Sequence, residues 1–181
     1  MIALAYHLAS RLAYVLYIGL ALTRQERSAS FTRRHGADEG FRRFRRVAAT
    51  LMHNDAASFV WLCVATRFTL RLDVPREATL VVGAVLVVVG LAVKLWAAAS
   101  LAPGAYYWRD FFVPAGRPGP AGGPYPFLKN PMYTVGYLPA YGCALLAGSL
   151  PGLIVAALDQ AAILVFYRWV EKPHVEKMLT S

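Results

Sequence analysis

The sequence predicts an all-α fold, a polytopic transmembrane helical bundle of about five spans. Three observations carry that prediction. Hydrophobic residues make up 57% of the 181-residue chain and its mean hydropathy is +0.44, too apolar for an ordinary soluble domain. The apolar residues fall in runs long enough to cross a hydrocarbon layer of ~30 Å, which takes about 20 helical residues each. The positive charge is concentrated in one segment between two of those runs, the pattern by which membrane proteins mark their cytoplasmic side.

Five apolar segments are expected to span, at about 2–22, 56–72, 78–100, 132–149 and 152–170. The first lacks a basic leader region and carries His7 and Arg11 inside its apolar stretch, so it reads as a span and not as a cleaved signal peptide. The second is the weakest, with Arg67 and Arg71 in its last turns and His53-Asn54-Asp55 just before it. "SLPG" (149–152) leaves room only for a tight hairpin between the fourth and fifth. At this length the chain is one domain, with N-terminal spans and a basic loop over 1–77 and a core over 78–181.

Arg24, Arg27, Arg33, Arg34, Arg42, Arg43, Arg45 and Arg46 cluster within 23–46. Placed on the cytoplasmic side, this loop meets anionic lipid headgroups, and the clustering argues against nucleic acid as the partner behind the net charge of +9. The threading then puts the N-terminus, 73–77 and "SLPG" outside, and loop 101–131 and the C-terminal tail inside. Arg109, Arg117, Lys129, Arg168, Lys172 and Lys177 all reach the same cytoplasmic face. Loop 101–131 holds seven of the eleven prolines, so it is no regular element, and its aromatic content requires something to pack on. Cys63 and Cys143 show no metal-ligand or disulfide spacing and read as small packing residues.

Three polar stretches converge on that face. In "LKNPMYTVGYL" (128–138) Asn130 is expected as helix cap and Pro131 as first helical residue of span four. Such a terminus either receives an anionic group or simply starts a helix. In "YRWVEKPHVEKML", span five runs to Glu171 and Pro173 ends or bends it. Glu171, His174 and Glu176 then share the interface with Asn130, to hold a hydroxyl or a cation, or merely to solvate a helix end. In "GAYYWRDFF" (104–112), Asp110 stands among Tyr106, Tyr107, Trp108, Phe111 and Phe112. Such rings attract quaternary ammonium groups, or form an interfacial belt. Within the spans, His7 and Arg11 share one helix face and Asp159 and Gln160 lie at matching depth, so an Arg11–Asp159 pair is expected. Lys94 either snorkels or meets a lipid phosphate.

In this order, "GAYYWRDFF", "PYPFLKNPMY", a helical hairpin and "VEKPHVEK" resemble the phosphatidylethanolamine N-methyltransferases and, more distantly, the isoprenylcysteine carboxyl methyltransferases, over roughly residues 80–178. The resemblance implies a membrane methyltransferase using S-adenosyl-L-methionine, with a cofactor pocket on the cytoplasmic side and an amine headgroup as acceptor. It implies cofactor contacts at Gly90, Tyr125, Asn130, Pro131, Met132, Tyr133, Gly136 and Glu171, and substrate contacts at Tyr106, Tyr107, Trp108 and Lys94. The chain departs from the pattern at Lys172, where a second glutamate is expected, and at Val88, where a glycine is expected. Attack by nitrogen needs a free lone pair, so a group must take the ammonium proton. Asp110 is the first candidate, then Glu171 or His174. The alternatives are methylation of an isoprenylcysteine-like carboxylate or another lipophilic acceptor, a small nicotinamide-dependent membrane reductase, suggested by a distant similarity to the sterol reductases, and a non-catalytic membrane scaffold.

Overall fold

The computed structural model describes residues 1–113 and 122–180. Arg117 lies outside them. Among the described residues seven α-helices follow in chain order: α1 (Ile2–Ser28), α2 (Ser30–His35), α3 (Ala37–Ala65), α4 (Arg76–Ala99), α5 (Leu138–Ala147), α6 (Leu150–Phe166) and α7 (Lys172–Thr180). The described residues contain no strand. Among the described residues four helical stretches are long and apolar enough to cross a membrane: Ile2–Ser28, Ala37–Ala65, Arg76–Ala99 and the rod Leu150–Met178. The expected fifth span is shorter. Its helical part, Val135–Ala147, is about 20 Å long at 1.5 Å per residue.

The basic stretch 23–46 is helical over most of its length, where a loop was expected. Asp38 and Glu39 sit in the first turn of α3, favourable at a helix N-terminus, and Glu39 pairs with Arg43 one turn on, at 3.0 Å. Phe41, Phe44 and Ala48 are buried while Arg42, Arg43, Arg45 and Arg46 face outward, so the segment is amphipathic. The second span therefore begins well before residue 56 and ends at Ala65, leaving Arg67 and Arg71 in the following loop. Gln25 fixes the turn from α1 to α2: its Oε1 accepts the Phe31 backbone N–H at 3.0 Å.

α4 packs closely on α5 through glycines. A side chain at Gly142 would meet the Gly83 carbonyl at 2.6 Å and the Val87 nitrogen at 2.9 Å, both rigid backbone atoms. Small residues allow this approach between membrane helices. Gly142→Ala is expected to lower the thermal midpoint in detergent by several degrees, the result of about 1–3 kcal/mol of overpacking. An unchanged midpoint would mean that the two helices part at no cost.

Before α5 the backbone is irregular. Asn130 takes a left-handed conformation, φ 53°, and its carbonyl accepts from the Tyr133 and Thr134 amides at 3.1 Å. Asparagine is among the few residues that tolerate this region. Asn130 and Pro131 thus form a tight turn eight residues ahead of α5, and neither caps that helix as expected from sequence. Gly90, 14 residues into α4, faces Pro139, so α5 starts about 20 Å along α4. Irregular backbone at such depth is tolerated where it is buried in protein or lines a cavity.

Pro173 does not end the last helix. Residues Tyr167–Glu171 form a π-helical turn in which the Lys172 N–H bonds the Tyr167 carbonyl, and α7 continues from it. The wide turn lets the rod pass the proline, whose ring would crowd the carbonyl four residues earlier in a regular helix.

The two ends of the bundle are distinct. One end gathers the C-terminal part of α1, α2, the basic start of α3, the aromatic loop after α4, and α7. There Arg109 lies 3.2 Å from Asp38 and Lys177 lies 2.8 Å from Glu26. At the other end the loop after α3 bonds the α5–α6 turn, Phe68 N to Ala147 O at 3.1 Å and Leu70 N to Gly148 O at 2.8 Å. The loop after α3 and the α5–α6 turn thus share one end, and the aromatic loop and α7 share the other.

Candidate functional site

Two apolar clusters fill the bundle. At the basic end Phe41, Phe44, Trp108, Phe111, Phe112 and Phe166 pack with Ile18 and Leu22. The aromatic loop is therefore largely core and not an interfacial belt: Trp108, Phe111 and Phe112 are buried, and the Phe112 ring lies 5.0 Å from that of Phe44. At the other end Phe59, Leu62, Cys63, Ala144, Val155 and Ala156 form the second cluster.

A buried polar layer lies between α1, α3 and α6. Arg11 reaches Asp159 at 2.8 Å, the expected pair, and also Asp55 at 2.9 Å. It donates further to the Tyr137 hydroxyl at 3.1 Å. His7 bridges Ser58, at 2.8 Å, and Asp159, at 3.0 Å.

Above this layer opens a cavity of about 310 Å³. Arg11, Asp55 and Tyr137 form its polar floor, and Lys94 stands in the α4 wall. Tyr106, Trp108 and Tyr133 give it aromatic walls, and Met132 and Gly136 come from the irregular segment before α5. Burial raises the phenol pKa of Tyr106 above its ordinary value, as it does for Tyr125, where the Glu171 carboxylate adds to the effect. Both hydroxyls stay protonated at neutral pH.

Glu171, at the end of the π-helical turn, ties three predicted elements together. The Trp108 indole N–H and the Tyr133 hydroxyl both donate to its Oε1. Trp108 itself sits in a left-handed conformation, φ 56°, between the turns Ala105–Tyr107 and Arg109–Phe111. The aromatic loop, the Asn-Pro turn and the last helix thus meet at one carboxylate. In the Asn-Pro turn Asn130 Nδ2 is buried and finds no hydrogen-bond partner among the described residues.

Of the residues expected at a site, Lys94, Tyr106, Trp108, Met132, Tyr133 and Gly136 line the cavity. Glu171 touches its wall through Trp108 and Tyr133, and Asn130 and Pro131 build the turn that carries Met132 and Tyr133. Gly90 is a packing glycine against Pro139 and Leu138 and lies outside the cavity wall. Tyr107 turns to the Arg45 guanidinium, 5.1 Å above its ring. Glu176 pairs with Lys172 at 3.5 Å on the exposed side, so it does not stand in for the missing second glutamate.

Asp110 and His174 are also placed away from the cavity. His174 Nδ1 lies 2.6 Å from Glu26, Nε2 lies 3.4 Å from Asp110, and the ring stacks on Phe111 at 3.7 Å. The group latches α7 onto α1 and the aromatic loop, a positioning arrangement where proton transfer was expected. His174→Ala is expected to speed hydrogen exchange across α7 at least about threefold, since each such contact contributes about 1 kcal/mol. Unchanged α7 protection would refute the latch.

Sequence reasoning missed Arg11, Tyr14, Asp55 and Tyr137 as cavity residues. For Asp55 a signal was present: Phe41, Phe44, Ala48, Asp55, Ser58, Phe59 and Leu62 recur at helical spacing and all are buried. Starting the span at 56 cut that pattern.

Fold and cavity define a polytopic helical membrane protein with an aromatic-walled chamber over a polar floor. Residues 78–181 match the phospholipid methyltransferase family. The chain belongs to that family. Among curated proteins it is similar to the phosphatidylethanolamine N-methyltransferase of Pyricularia oryzae, 32% identical over 136 residues, covering 74% of this chain and 14% of that protein. It is 40% identical over 95 residues to the enzyme of the same name from Aspergillus fumigatus, covering 52% and 10%. That of Arthroderma benhamiae is 34% identical over 141 residues, covering 74% and 14%. The chain thus spans between 10% and 14% of the length of these relatives. No solved structure matches it.

Proposed function

We propose that the chain transfers methyl groups from S-adenosyl-L-methionine to the amine headgroup of a membrane phospholipid, phosphatidylethanolamine or its partly methylated forms. The observation that carries this reading is the meeting of Trp108, Tyr133 and Glu171 at one carboxylate beside the cavity. The residues present suit the cofactor's chemistry. Its ribose hydroxyls and amino group are donors, and Glu171 receives both of its protein donors on Oε1, leaving Oε2 for another. Its carboxylate is an acceptor, and Asn130 Nδ2 is a buried donor in want of one. Asn130, Met132, Tyr133 and Glu171 would hold it. When bound, it supplies an electrophilic methyl on a sulfonium.

The chain's own part is to align and to shield. The acceptor nitrogen is held in the cavity, where orientation supplies much of the catalysis. The Tyr106, Trp108 and Tyr133 faces accommodate the growing cationic character of the nitrogen. The buried Phe111 and Phe112 seal the loop against water. The cofactor face is cytoplasmic in this reading, because the exposed arginines of α3 lie at the same end and suit anionic headgroups there.

The test is to incubate the purified chain with methyl-labelled cofactor and total membrane lipid. Label in an amine phospholipid, with increments of one, two or three methyl groups by mass spectrometry, is the expected result. Label in a prenylated carboxylate would select the carboxyl-methylating reading. Thermal stabilisation by NADPH and not by S-adenosylhomocysteine would overturn both.

A further inference from the structure

The cavity floor holds a carboxylate oxygen that no group of the described residues satisfies. Asp55 is 6% exposed and lines the cavity. Its Oδ2 pairs with Arg11 at 2.9 Å, while its Oδ1 is buried with no hydrogen-bond partner. A buried carboxylate oxygen without a donor is costly, and in a native site it calls for a donor from a ligand or from water. The ion pairs of the described residues also leave Lys94, in the α4 wall, without a carboxylate.

The cavity has an apolar entrance. Val60 of α3 and Leu91 of α4 both line it and are 49% and 46% exposed. The mouth therefore lies between two membrane-crossing helices and faces hydrocarbon. Past it, Phe59, Ala140 and Cys143 continue an apolar wall toward the polar floor. An amphiphile entering sideways meets apolar surface with its chains and charge with its head.

The charges suit one class of head. Arg11 and Lys94 are balanced by Asp55 and Asp159, so the floor and the α4 wall together carry no net charge. A zwitterion keeps them neutral, whereas an anionic head leaves a charge at membrane depth, which is expensive.

We infer that Asp55 is the headgroup carboxylate of a zwitterionic phospholipid site, its Oδ1 receiving an N–H of the primary ammonium while Lys94 faces the phosphate. This rests on the methyl-transfer reading for its chemistry and adds a residue that the reading did not include. Asp55 Oδ1 also takes the proton that the ammonium must lose. The N–H bond breaks, its electron pair remains on nitrogen as the lone pair, and an O–H bond forms on Oδ1. Each methylation removes one N–H donor. A trimethylated head keeps its charge but has no hydrogen to give Oδ1, so the site prefers substrate to final product.

The experiment is a titration of the purified full chain in detergent micelles with dioleoyl phosphatidylethanolamine, phosphatidylcholine or phosphatidylglycerol. Quenching of tryptophan fluorescence reports binding, since Trp108 lines the cavity. The wild type is expected to bind the ethanolamine lipid at least about tenfold more tightly than the other two, the range of a charge-assisted hydrogen bond. Asp55→Asn is expected to abolish that preference and to lower turnover about 100-fold or more, with S-adenosylhomocysteine affinity retained. Asp159→Asn weakens the same Arg11 network without touching the cavity, and is expected to keep the preference for the ethanolamine over the choline lipid.

Equal wild-type binding of ethanolamine and choline lipids overturns the inference, whether or not Asp55→Asn folds. So does a lipid preference that survives Asp55→Asn. If the lipid preference depends on Asp55 but S-adenosylhomocysteine does not bind, the methyl-transfer reading fails and the headgroup site stands. If S-adenosylhomocysteine binds and no lipid preference exists, the reverse holds.

Discussion

Glu171→Gln is expected to weaken S-adenosylhomocysteine binding by about 10- to 100-fold, the effect of losing one hydrogen bond to a charged acceptor. Glutamine keeps an oxygen for Trp108 and Tyr133, so the wall holds. The other position becomes an amide N–H₂, which donates and cannot accept from a ribose hydroxyl. Glu171→Ala removes both oxygens and leaves a buried indole N–H and a phenol unpaired, so it lowers stability as well. Calorimetric titration with S-adenosylhomocysteine, beside a thermal melt of each variant, separates the two effects. If Glu171→Gln binds as tightly as the parent, Glu171 is a structural acceptor and the cofactor lies elsewhere.

Arg11→Met is expected to produce the largest loss of stability. Asp55 and Asp159 would then be two carboxylates buried at membrane depth with their shared cation gone. Breaking a buried ion pair from one side costs about 3–5 kcal/mol, or about 10 °C in thermal midpoint for a chain of this size. Arg11→Met combined with Asp159→Asn should recover part of that loss, because one of the stranded charges is removed with its partner. A midpoint in detergent within a degree of the parent for the single variant would show that the carboxylates need no cation.

The expected pair of Arg11 with Asp159 shows what linear reasoning can reach. Charges are rare in apolar spans, so two at matching depth have few candidates for partners. The same reasoning could not add Asp55, because its place on a buried face depends on where α3 begins. That beginning was obscured by arginines that a loop and an amphipathic helix both carry. Asn130 and Pro131 failed differently. Cap chemistry and turn chemistry use the same residues, and what distinguishes them, the left-handed φ of Asn130, is not written in residue type.

By itself, the sequence determined the class of solvent, the helical content, the segregation of loops to two ends and the order of the polar stretches. These follow from hydrophobic runs and charge counts, which are additive along the chain. The tertiary structure alone decided which of those polar groups share a chamber. Contact between α1, α3 and the C-terminal core brought Arg11 and Asp55 under Tyr133, and a wide helical turn aimed Glu171 inward, while Asp110 and His174 were drawn into a latch. Those outcomes depend on distances between residues far apart in the chain, which local propensity does not encode.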